Sequence, residues 1–327
     1  MQSTLGPIRP PSETYSLLIR VTKNCPWNRC EFCSVFKGQK FELKTVDEVN
    51  QDILSAKEQM EEIQEWAERT GHRVSEMAGS IGVLWLEDDG VKSAFLQDSD
   101  TLIMKTEPLV EIVSFLRETF PTLERICSYA RGKTLTRKTP EDLRRLREAG
   151  VSRVHIGLET GDDELLAYVQ KGATAEEMIK AGKKATEAGF EVSEYVMPGL
   201  GGRERWEQHA RNSARVLNAI NPHFIRLRTL HLVPGTPLYE KARQGEFHVQ
   251  SIEGVLIEVR KFIESLEVTS QFVSSDQSAN FFMGEVDGRL PDDKGKMLKT
   301  IDRALGWWRT KGEPKRNPFS SNLNQPV

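Results

Sequence analysis

The feature that most constrains this chain is a repeated alternation of short apolar runs with amphipathic helical segments, running from Tyr15 to Leu230. Tyr15–Thr22 reads as a buried strand. The helix that follows, over Val46–Arg69, opens with Thr45 and Glu48 spaced as a capping box. Its apolar residues Val46, Val49, Ile53, Ala56, Met60 and Ile63 recur at steps of three and four, and Gly71 closes it. Ile81–Leu86 and Val91–Leu96 flank an Asp-Asp-Gly turn and are predicted to form a hairpin, the second run being the main-sheet strand. Strands Arg125–Ala130, Val151–Leu158, Phe190–Met197 and His223–Leu230 then alternate with helices Pro108–Thr119, Pro140–Glu148, Ala175–Ala188 and Arg203–Ile220. Six strand-then-helix units with short connections imply parallel strands and right-handed crossovers. A doubly wound sheet and a partial barrel both satisfy this rhythm, and both place ligands at the carboxyl ends of the strands.

From about Gly245 the rhythm changes. An amphipathic helix (Ile252, Val255, Val259, Phe262, Ile263, Leu266) precedes a strand-like Glu267–Ser274, a further helix starts at Pro291, and the end of the chain is rich in Pro, Asn and Ser. The division expected is a core over 12–244, a C-terminal subdomain over 245–310 buried by Phe281-Phe282 and Trp307-Trp308, and a disordered tail over 311–327. The formal net charge is −3, from 45 basic and 48 acidic residues, which gives no strong nucleic-acid signal. No run reaches the ~18–20 apolar residues of a membrane span, and Met1–Pro11 lacks signal-peptide order, so a cytoplasmic location is expected.

Three of the four cysteines fall in one loop directly after the first strand, Cys25-Pro-Trp-Asn-Arg-Cys30-Glu-Phe-Cys33, and the fourth, Cys127, lies inside a predicted strand. Three thiols leave one unpaired, which argues against disulfides. Structural zinc takes four closed ligands, and the loop holds no histidine. A [4Fe–4S] cluster held by three thiolates, with one iron open to an exogenous ligand, fits the count better.

The loop resembles that of the radical S-adenosylmethionine (SAM) superfamily, with Phe32 in the aromatic position before the last cysteine. It departs from the usual signature by four residues, not three, in the first gap. The resemblance extends over about Tyr15 to Leu238. Phe95-Leu96-Gln97-Asp98-Ser99-Asp100 is similar to the acidic form of the family's Gly-Gly-Glu segment. His155-Ile156-Gly157-Leu158-Glu159-Thr160-Gly161 is similar to the Gly-Leu-Glu-(Ser/Thr)-Gly segment of the branch containing methylthiotransferases and cobalamin-linked relatives, the elongator catalytic subunit and nitrogenase cofactor protein B-like cores. Met197-Pro198-Gly199-Leu200-Gly201-Gly202 resembles the glycine turn beside the nucleoside.

The resemblance implies an α/β fold, a partial (β/α)6 TIM-like barrel with a small C-terminal α+β extension. It also implies cluster ligation by Cys25, Cys30 and Cys33, and SAM contacts from Phe32, Asp98, Asp100, Glu159, Gly199 and Gly201. Arg226 or Arg228, two apart on one strand face, would meet the SAM carboxylate. The implied activity is reductive cleavage of SAM to a 5′-deoxyadenosyl radical that abstracts hydrogen from an unidentified substrate, with electrons from a flavodoxin- or ferredoxin-like donor. The alternative is an iron–sulfur electron carrier or sensor without radical chemistry.

Overall fold

The computed structural model of the chain describes residues 6–277, 280 and 286–311. Its strands are β1 (Leu17–Arg20), β2 (Thr22–Lys23), β3 (Glu42–Leu43), β4 (Ser93–Gln97), β5 (Arg125–Ala130), β6 (Val151–Glu159), β7 (Glu191–Val196), β8 (Phe224–Leu227), β9 (Gln271–Val273) and β10 (Gly288–Arg289). Eight form one sheet in the order β1-β4-β5-β6-β7-β8-β9-β10. The pairs β1–β4, β4–β5, β7–β8 and β8–β9 are parallel, and β10 is antiparallel to β9. A doubly wound sheet reverses its strand order at a switch point. This order never reverses, so the winding is that of the (β/α)-barrel class.

The chain divides into two compact units. The first comprises residues 1–26, 38–155 and 185–191, and the second comprises 27–37, 156–184 and 192–327. In the first, helices Val46–Thr70, Thr106–Thr119 and Pro140–Ala149 pack side by side. The Thr45–Glu48 capping box forms, Gly71 adopts φ 70° at the C-terminus, and Val49, Ile53, Ile63 and Ala67 make the buried stripe. The two-residue ribbon of β2 and β3 pairs Thr22 with Leu43 and Lys23 with Glu42, across the ends of the segment that carries the cysteines.

In the second unit, helix Ile252–Ser265 packs between helices Gly202–Ile220 and Lys294–Lys311. The strand expected within Glu267–Ser274 forms as β9 and joins β8 in parallel, pairing Ile225 with Phe272. Phe272 is fully buried, its ring 6.3 Å from that of Phe262.

Two expectations are corrected. Ile81–Leu86 makes no hairpin strand. The segment is a turn that continues from the helix Val74–Ser80, with the Ile81, Gly82 and Val83 N–H groups donating back to the Ala78 and Gly79 carbonyls. Asp88 holds that helix's first turn by accepting from the Ser75 N–H at 2.9 Å and pairing with Arg73. Ile81 and Leu84 are left exposed. Trp307 is 54% exposed, because Met297, Ile301 and Leu305, at steps of four, take the buried face of its helix and position 307 points away from it. Phe281 and Phe282, and the expected tail beyond Lys311, lie outside the described residues.

Phe272→Ala is expected to destabilise the second unit by about 3–5 kcal/mol, the usual effect of emptying a buried aromatic site. Chemical denaturation measures it; a loss below about 1 kcal/mol would show that β9 is not integral to the sheet.

Candidate active site

The three loop cysteines are half-buried and free of disulfides. The Cys33 N–H donates to the Cys30 carbonyl at 3.3 Å. Between them, the Glu31 N–H donates to the Val169 carbonyl at 2.9 Å, and the Glu31 carbonyl accepts from the Leu238 N–H at 3.1 Å. The buried Glu31 carboxylate accepts from Gln170 Nε2 at 2.8 Å and pairs with Lys241, whose ammonium lies 4.1 Å from the Tyr168 ring centroid. Phe32 packs against an apolar cluster that includes Leu165, Val169, Leu200 and Leu238. Three accessible thiols on one anchored loop are a soft donor set with one ligand too few for a closed zinc site, and they fit a cluster with an open iron.

In the first unit, both predicted aspartates are fully buried. Asp98 Oδ2 accepts from Arg20 Nε (3.0 Å) and Nη2 (2.7 Å) and from the Asn24 N–H (2.7 Å). Burial pushes its carboxyl up, opposed by the Asn24 N–H and the Arg20 guanidinium. Asp100 accepts from the Arg131 N–H (3.1 Å) and the Thr134 hydroxyl (2.6 Å), so it fastens the turn after β4 to the one after β5. Burial raises it to about 6 despite those donors.

The second unit holds the remaining predicted residues. Glu159 ends β6 with φ 61° and pairs with Lys171 at 2.9 Å. Gly157 leaves room for that pair, since a Cβ there would lie 2.3 Å from Glu159 Oε1 and 3.0 Å from Lys171 Nζ. Gly199 adopts φ +84° and its N–H donates to Glu258 Oε1 at 2.8 Å. A Cβ on Gly201 would meet the Arg205 backbone at 2.9 Å, so the turn admits no side chain there. The two arginines are separated in role: Arg226 is buried against Ser193 and ion-paired with Asp276, whereas Arg228 lies just past β8 and is exposed.

Several polar residues here were not singled out from the sequence. Glu194, on β7, is fully buried, and neither carboxylate oxygen has a hydrogen-bond partner among the described residues. Burial pushes its carboxyl well above the ordinary range, with Lys171 opposing. His209 bridges Thr160 Oγ1 (2.7 Å) and the Met197 carbonyl (3.0 Å), and burial lowers it to about 4, which keeps it neutral. Glu258 lies 3.4 Å from His209, and burial raises it to about 8 against the Gly199 N–H. The available signals were a glutamate inside the apolar run of β7 and another on the apolar stripe of Val255, Val259 and Phe262.

One further cluster joins Glu13, Cys127 and His155, with ligand atoms within 4.8 Å of one another, all buried. Arg125 Nη2 sits 3.2 Å from Glu13 Oε2 and already supplies positive charge where a metal would. Burial would raise Glu13, but His155, Ser16 and Arg125 outweigh it and hold the carboxyl at about 2. Burial pushes the Cys127 thiol up. Glu13, Arg125 and His155 here form an internal ion-pair network.

A largely parallel, non-reversing sheet with a three-thiol loop after its first strand is the arrangement of a barrel-class protein able to carry an iron–sulfur cluster. Residues 19–213 match the Radical SAM superfamily, more than half of the 327-residue chain. The chain belongs to that superfamily: it is a radical SAM enzyme, and its cofactors are a [4Fe–4S] cluster and SAM.

The tRNA uridine(34) acetyltransferase of Methanocaldococcus jannaschii is 27% identical over 109 residues, 33% of this chain and 20% of that protein. The heme chaperone HemW of Bacillus subtilis is 25% identical over 161 residues, 49% of this chain and 42% of that protein. The chain thus spans a fifth to less than half of these relatives. Among solved structures, Elp3 of Methanocaldococcus infernus aligns with TM-score 0.49 and 14% identity, covering 74% of this chain and 58% of that one. Methylornithine synthase aligns with TM-score 0.48 and 16% identity, covering 96% and 88%.

Glu258 provides a pH test. Its folded pKa of about 8 exceeds its ordinary 4.5. The native state therefore holds the proton longer, and this group's contribution to stability falls as pH rises between those values. Over about pH 5.5–7 the loss is on the order of 1.4 kcal/mol per pH unit, diminishing towards pH 8, and Glu258→Gln should remove it. Denaturation of both proteins across that range measures the slope; equal slopes would show that Glu258 is not buried as a neutral carboxyl.

Proposed function

We propose that Cys25, Cys30 and Cys33 hold the [4Fe–4S] cluster, and that the protein abstracts hydrogen from a substrate still to be identified. The observation that carries this is the loop itself: three half-buried cysteines outside any disulfide, on a segment anchored through Glu31 on both its backbone and its side chain. When bound, the reduced cluster supplies the electron that cleaves the C5′–S bond of SAM to give the 5′-deoxyadenosyl radical.

The protein's own groups bind, orient and exclude water. Asp98 and Asp100 shape the turn after β4, and we assign the SAM ammonium to this acidic turn. Glu159, presented by a left-handed backbone and steadied by Lys171, is a carboxylate acceptor for methionine or ribose donors. Arg228 is the better partner for the SAM carboxylate, because Arg226 is already neutralised by Asp276. Gly199 and Gly201 bring bare backbone to the nucleoside side, and Phe32 excludes water beside the last cysteine. Glu258 fixes the glycine turn by accepting from the Gly199 N–H. The reducing electron comes from a flavodoxin- or ferredoxin-like donor in a cytoplasmic setting. No helix among the described residues is long and apolar enough to cross a membrane.

Anaerobic reconstitution with iron and sulfide is expected to load about four irons per chain. With SAM and dithionite the loaded protein should form 5′-deoxyadenosine. Cys25→Ala, Cys30→Ala and Cys33→Ala should each abolish that product, while Cys127→Ala should retain it. Stoichiometric zinc with no deoxyadenosine would refute the assignment, and a reducible cluster without deoxyadenosine would indicate an electron carrier or sensor instead.

A further inference from the structure

The cysteine loop carries one residue more in its first gap than the usual signature, and the structure gives that extra length a seat. We propose that Trp27, docked on Gly172 and Gln170, is a positioning residue that lets this Cys-x4-Cys-x2-Cys loop present its thiolates as one ligand set. The inference rests on the proposed ligation by Cys25, Cys30 and Cys33.

Trp27 stands two residues after Cys25 and three before Cys30. Its indole Nε1–H donates to the Gln170 carbonyl at 2.7 Å. Gly172 adopts φ +74°, and a Cβ built there would lie 2.4 Å from the indole ring, so the seat exists only because that position has no side chain. The Arg29 guanidinium covers the ring at 5.1 Å from its centroid. Asn28 turns the chain with φ 49°, and its carbonyl accepts from Lys37 Nζ at 3.0 Å.

The same short stretch that receives Trp27 also receives Glu31, through the Val169 carbonyl and Gln170 Nε2. Residues 27 and 31 are therefore pinned to 169–172 at two points, with the added residue of the gap held between them. An inserted residue adds backbone freedom that must be frozen before three thiolates can share one centre. The indole seat freezes it, which is a role that a three-residue gap would not need.

The test compares wild type, Trp27→Ala and Trp27→Phe after anaerobic reconstitution, reading iron per chain and the EPR spectrum of the dithionite-reduced protein. Circular dichroism and melting temperature are read on the same samples. Trp27→Ala is expected to hold less than about half the wild-type iron with a broadened, heterogeneous signal, while its melting temperature stays within a few degrees. Trp27→Phe, which refills the seat with a ring, should recover most of the iron. Wild-type iron and spectrum in Trp27→Ala would overturn the inference alone. So would iron loss that accompanies global unfolding, or a phenylalanine variant as poor as alanine. A wild type that takes up no iron would overturn the functional reading and this inference with it.

Discussion

Parallel strand pairing is the constraint on which the rest of the structure depends. Parallel neighbours cannot be joined by a tight turn, so each strand must be followed by a crossover before the next can pair. The registers Leu17 with Ala94, Phe95 with Cys127, and Tyr195 with Arg226 therefore create a series of strand ends, each followed by a loop that pairing does not consume. In the first unit those loops carry Asn24, Asp98 and Asp100. In the second they carry Gly199 and Arg228, with Glu159 at the tip of its strand. The cysteine segment is the longest of these excursions, and the β2–β3 ribbon closes across its ends.

The second recurring element is the buried carboxyl. Desolvation opposes ionisation at Asp98, Asp100, Glu194 and Glu258 alike, and the neighbours decide what each group does. Asp98 keeps an arginine and a backbone donor, while Asp100 keeps a hydroxyl and a backbone donor. Among the described residues Glu258 has the Gly199 N–H and a neutral histidine nearby, so it carries its proton to about pH 8. Buried ionisable groups this poorly compensated are expected where binding matters more than stability.

Much of the fold was legible in the sequence, because capping residues and three-four periodicity are local signals. Thr45 with Glu48, and Thr139 ahead of Pro140, fix helix starts without reference to anything distant. The cysteine spacing was legible for the same reason. Ile81–Leu86 was misread because its apolar composition does not show that the backbone N–H groups of residues 81–83 are spent on the carbonyls of Ala78 and Gly79 at the end of the preceding helix. Arg226 and Arg228 could not be told apart, because the partner of Arg226 is Asp276, a contact made only by the fold. Lys171, His209 and Glu258 were invisible as a set because their partners lie in other elements. The seat of Trp27 needed Gly172, a residue that reads in sequence as an ordinary turn.

The central claim is that one iron, left open by Cys25, Cys30 and Cys33, is where SAM binds. The most direct measurement is hyperfine spectroscopy of the reduced, reconstituted protein with SAM labelled at its amino nitrogen and carboxylate oxygens. The account predicts resolved coupling from both labels to the cluster, lost in Cys25→Ala, Cys30→Ala and Cys33→Ala. A reduced cluster whose spectrum is unchanged by labelled SAM would contradict it.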